Sequence, residues 1–90
     1  MPKFFTKQPV ENKDYDFDWS DWMPTGDSIS TASIPNVDGI TLGPKTVTGN
    51  VVKQFISGGA DGVDYKITCT MTTTQGRIDE REIRIMVREL

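Results

Sequence analysis

From Lys13 the chain alternates: Tyr15, Phe17 and Trp19 fall on one side of an extended backbone, and Asp14, Asp16 and Asp18 on the other. Large apolar residues at every second position are the pattern of a strand with one buried face. Ser20 to Pro24 interrupts it, Thr25-Gly26-Asp27 reads as a turn, and a second strand is expected from Ser28 to Ile34 with Ile29 and Ile34 buried. Pro35 to Gly39 is a turn signal, Ile40-Thr41-Leu42 a short strand ended by Gly43-Pro44, and Lys45 to Thr48 a brief edge strand. Gly49-Asn50 then turns into a strand over Val51–Ser57.

The last third alternates most regularly. Val63, Tyr65, Ile67, Cys69 and Met71 face one way and Asp64, Lys66, Thr68, Thr70 and Thr72 the other. Thr74-Gln75-Gly76 predicts a hairpin turn, after which Ile83, Ile85 and Val87 face inward and Glu82, Arg84, Met86 and Arg88 outward. No segment sustains a 3.6-residue period. The expectation is an all-β chain: an immunoglobulin-like β-sandwich of six to seven short antiparallel strands over residues 14–90. The spacing Asp61-x-Val63-x-Tyr65-x-Ile67 supports it, because it matches the entry to strand F of immunoglobulin domains, where a tyrosine hydroxyl bonds back to the connecting loop. Ile67 stands where those domains carry a disulfide cysteine.

Residues 1–13 lack the alternation. With Pro2, Pro9 and only Phe4 and Phe5 as apolar anchors, they read as an extended N-terminal arm. Two readings stay open: a solvated tip, or an arm that docks its aromatic rings on a neighbouring subunit.

Charge adds an asymmetry. The formal net charge of −3 divides into a basic tip (Lys3, Lys7), an acidic stretch over residues 11–27 with six acids against Lys13, and a neutral remainder. The basic footprint of a nucleic-acid binder is missing, so no nucleic-acid partner is expected. No apolar run approaches the ~20 residues of a membrane span and no export signal is visible, so neither membrane association nor secretion is expected, and synthesis is placed in a cytoplasm. One cysteine and no histidine leave no internal disulfide, no Cys–His pair and no zinc site. Asp14, Asp16 and Asp18 begin like a calcium loop, but Trp19 takes the place of its glycine and Thr25 that of its closing glutamate. Cys69 lies on the inward parity, and the glycine-rich stretch 58–62 joins strands without a following helix. No catalytic, metal or cofactor-binding residues are assigned, and an enzyme is not expected.

What remains is contact surface. Phe4, Phe5, Trp22, Arg84, Met86 and Arg88 are the candidate interaction residues: arm aromatics, a tryptophan after the first break, and the outward face of the last strand.

In their order, several segments resemble a family of small virion-associated proteins of tailed bacteriophages and prophages. They are Phe5-Thr6-Lys7-Gln8-Pro9, Asp14 to Trp19, Trp22-Met23, Gly26-Asp27-Ser28-Ile29, Ser57-Gly58-Gly59, Gly62, Tyr65 and Thr72 to Arg77. Gln8 departs from the family pattern, where an acid is usual, and Phe55 stands where a core tryptophan is expected. The resemblance implies a non-enzymatic virion component located in the particle. Its form would be a capsid decoration or cement protein or a head–tail accessory, binding other virion proteins as an oligomer or in many copies. A free immunoglobulin-like module that recognises a host protein or ligand is the alternative.

Overall fold

The structure is a computed structural model and describes residues 3–89. Seven strands follow one another: β1 (Lys3–Lys7), β2 (Lys13–Asp18), β3 (Ile29–Ser33), β4 (Ile40–Thr48), β5 (Val51–Gly58), β6 (Asp64–Thr73) and β7 (Ile78–Val87). They form two sheets. One runs β1-β7-β6-β3 and the other β2-β5-β4, and the inward faces of the two enclose a single core. No helix occurs among the described residues.

The period-two pattern explains the core. On β2, Tyr15 and Phe17 turn in; on β5, Val52 and Ile56; on β6, Tyr65, Ile67, Cys69 and Met71; on β7, Ile83, Ile85 and Val87. Trp19, just past β2, is wholly buried and stacks on Phe17 with ring centroids 6.4 Å apart. Two expectations about single positions are corrected. Val63 lies in the loop before β6 and is 41% exposed, because its backbone closes a turn onto Ala60 and Val87 instead of continuing the strand. Phe55 is not a core residue. The inward parity of β5 belongs to Val52, Gln54 and Ile56, which leaves Phe55 half-buried on the outer face beside Asp14.

The sheets depart from the sequence reading in two further ways. First, β4 is one strand with a bulge between Leu42 and Lys45, where Gly43-Pro44 suggested a break. Proline cannot donate to a ladder, and a bulge accommodates it. The buried amide of Gln54 repairs the gap, its Nε2 donating to the carbonyls of Gly43 and Phe55 at 2.8 Å each. Second, the sandwich is not wholly antiparallel. Lys3–Lys7, read as arm, pairs parallel with β7 in the register Lys3↔Ile83 to Lys7↔Val87. Chain direction accounts for this, since β1 leads across to β2 in the other sheet and never folds back on itself.

Lys7 shows how firmly that strand is tied. Its side chain is fully buried, and its ammonium donates to the carbonyls of Gln8 (2.8 Å), Pro9 (3.4 Å) and Gly58 (2.6 Å). The Gly58 bond reaches the opposite sheet. Burial lowers the pKa of this lysine below its ordinary value, with Glu11 nearby acting the other way.

Candidate functional site

Two clusters hold the sandwich ends in place and thereby set the surfaces between them. At one end, the Asp27 carboxylate, fully buried, collects donors from two distant turns. Ser28 N donates at 2.9 Å, Thr74 Oγ1 at 2.8 Å, Gln75 N at 3.2 Å and Arg77 Nη1 at 2.8 Å. Burial alone would raise the Asp27 pKa, but hydrogen bonds from Thr73, Thr74, Arg77 and Ser28 outweigh it and hold the carboxyl well below the usual range. The segments Gly26–Ile29 and Thr72–Arg77, far apart in sequence, are thus two halves of one clasp. At the other end, Tyr65 accepts a hydrogen bond from Ala60 N at 2.9 Å, so its hydroxyl does bond back to the connecting loop. A Cβ on Gly39 (φ 95°) would sit 3.0 Å from that hydroxyl, and one on Gly59 (φ 101°) would sit 2.7 Å from Val87. Both glycines satisfy a left-handed backbone and a close approach together.

The candidate interaction residues do not form one patch. Phe4 (61% exposed), Arg84 and Met86 share the outer face of the four-stranded sheet, Phe4 directly opposite Arg84 in register. Arg88 follows on the same parity and bonds Asp64 at 2.9 Å. Phe5 points the opposite way, into the core, where its ring meets Tyr15 edge-on at 5.0 Å. It is therefore a packing residue in this structure. Trp22 lies in the β2–β3 connection, 37% exposed, its N–H bonded to Trp19 O at 3.0 Å.

The sequence reading passed over a third surface. Among the described residues, parallel pairing of β1 begins at Ile83, and β7 extends over the five residues before it. There the two sheets stand apart and leave a groove of about 560 Å³ between β7 and β2, the edge strand of the other sheet. Phe17 and Ile83 lie at its floor, Asp16 and Asp18 on one rim, Glu80 and Glu82 on the other. Lys3 stands at one end. Across the groove Arg81 reaches from one sheet to the other: its guanidinium lies 5.2 Å from the Trp19 ring centre and donates to Asp18 O. Trp19 Nε1 bonds Asp79 Oδ2 at 2.8 Å, completing the bridge. Asp79 and Arg81 occupy inward parity on β7, a local signal that the apolar core ends there.

Reactive chemistry is sparse. Cys69 is fully buried, and burial pushes its thiol up to about 11. Among the described residues no group of three or more acids, cysteines or histidines is placed to hold a metal ion.

The described residues form a seven-stranded β-sandwich with an internal clasp at each end and an open groove between β7 and β2. Over residues 7–86 the sequence matches the family described as podophage GP4 fiber-tail adaptor protein gp77, and the chain belongs to that family. It is accordingly a member of a bacteriophage virion-associated family. No curated protein matches it.

Proposed function

We propose that the protein is a non-enzymatic structural adaptor of the phage tail, carried in the virion and joining a fiber to the tail. The observation that carries this reading is the family match, which spans nearly all of the sandwich. The geometry agrees with it: hydrogen-bonded ends, an exposed face bearing Phe4, Arg84 and Met86, and an open groove suit a part that is gripped from more than one side. An adaptor place also fits better than capsid decoration, which the family description does not mention. The sandwich itself is immunoglobulin-like on this reading. The order β3-β6-β7 facing β2-β5-β4 corresponds to strands C-F-G facing B-E-D, and Tyr65 sits at the corner entering the F equivalent. Several copies per particle, arranged about the tail axis, are part of the proposal.

Deleting the gene and imaging the particles tests it. The expected phenotype is filled heads with a tail that lacks fibers, with infectivity restored by the gene in trans. Normal fibers on the deletion particles, or absence of the protein from mass spectra of purified virions, would overturn the adaptor reading.

A further inference from the structure

The open groove assigns a mode of partner binding, and the inference rests on the adaptor reading above. We propose that the groove between β7 and β2 receives an extended, lysine- or arginine-bearing segment of a partner chain, which adds as a strand to the exposed edge of β7 over Ile78–Glu82.

Backbone direction supplies the first argument. Val87 N donates to Val63 O on the β6 side, whereas Arg88 N donates to Lys7 O on the β1 side. Ladder groups alternate along a strand, so even-numbered residues of β7 face the β1 side. Ile78 and Glu80 therefore turn their N–H and C=O groups to the β1 side, where no strand among the described residues pairs with them, and Glu80 lines the groove. Unpaired edges of this kind template strand addition, main-chain bonds giving affinity and alternate side chains giving selectivity.

Charge supplies the second. The residues lining the groove comprise five carboxylates (Asp16, Asp18, Asp79, Glu80, Glu82) against Lys3 and Arg81, a formal −3, with Glu82 also paired to Arg84 at 3.1 Å. An incoming strand sends alternate side chains to opposite faces. On the outer face of the four-stranded sheet basic ones would meet Glu80 and Glu82, and on the other face apolar ones would meet the floor at Phe17 and Ile83. A second copy of this chain is a poor occupant, because its own edge repeats the same negative charge and would be repelled.

The test uses the full chain and two eight-residue peptides, one alternating Lys and Val, the other Glu and Val. Binding is followed by amide chemical shifts and hydrogen exchange. The Lys–Val peptide is expected to bind with an affinity that falls as salt rises. It is expected to slow exchange at Ile78 and Glu80 at least tenfold and to shift the Trp19 indole resonance. The Glu–Val peptide should do none of this. Asp16→Lys combined with Glu80→Lys should weaken binding tenfold or more and leave the melting temperature within a few degrees. Binding without protection of Ile78 and Glu80, equal binding of both peptides, or a concentration-dependent dimer that protects the same amides would each overturn the proposal. The adaptor reading fails separately, through particles that keep their fibers when the gene is deleted.

Discussion

Replacing Tyr65 with phenylalanine removes a single oxygen and asks how much the loop anchor at that end of the sandwich contributes. The ring is 8% exposed and stays packed in the variant, so the transfer energy of the side chain hardly changes. What is lost is the 2.9 Å bond from Ala60 N. A neutral hydrogen bond contributes ~1 kcal/mol net, and up to ~3 kcal/mol where its partner is left buried and unpaired. Ala60 is exposed, so water can reach the orphaned N–H, and the lower figure applies. For a domain of this size ~1 kcal/mol moves the melting temperature by about 4–8 °C. Thermal unfolding followed by far-UV circular dichroism and by the fluorescence of Trp19 and Trp22 reads the shift, and coincidence of the two probes checks two-state behaviour. Gly39→Ala gives a scale: with positive φ and a Cβ 3.0 Å from the Tyr65 hydroxyl, it should cost more than Tyr65→Phe. A Tyr65→Phe melting temperature within 1 °C of wild type would show that the 58–62 loop is held without the hydroxyl, and the corner argument would fail.

Three other outcomes are expected. The folded-state pKa of Asp27 is depressed, so its stabilising contribution is present above the unfolded carboxyl value of ~3.9 and is lost as pH falls below about 5 toward the folded value. Asp27→Asn should therefore be less stable at neutral pH and lose less on acidification, and parallel acid limbs in wild type and variant would contradict this. Cys69, buried with its pKa raised to about 11, should resist a disulfide exchange reagent at pH 8 until the protein unfolds; rapid native-state labelling would mean that the thiol is accessible. Removing residues 1–7 deletes the strand paired with β7 and the three Lys7 bonds, so the melting temperature should fall by more than in Tyr65→Phe. An unchanged value would make this segment a loose arm after all.

Period-two alternation made β2, β6 and β7 legible, because each buries one face only and the contrast between Tyr15-Phe17 and Asp14-Asp16-Asp18 survives in any window. What the pattern hid were polar groups at inward positions. Lys7 looks solvated in sequence because a lone cation between threonine and glutamine carries no sign of the Gly58 carbonyl that receives it. Gln54 interrupts an apolar face for the sake of a bulge nine to twelve residues upstream, in another strand. Asp79 and Arg81 likewise break the inward row of β7 because they face Trp19 and the backbone of Asp18. In every case the compensating partner is distant in sequence, which no local period reports. The candidate contact residues were read with the correct parity on β7, but parity on β1 depended on knowing that β1 was a strand, and so Phe4 and Phe5 were grouped although they face opposite ways.

Two turns far apart in the chain act together at one end of the sandwich. Gly26–Ile29 and Thr72–Arg77 meet around one buried carboxylate, so a change at Thr74 or Arg77 acts on the β2–β3 connection as much as on its own turn. That connection carries Trp22 and begins at Trp19, whose indole holds Asp79 at the groove. The clasp and the groove are thus the two ends of one connection, residues 19–28.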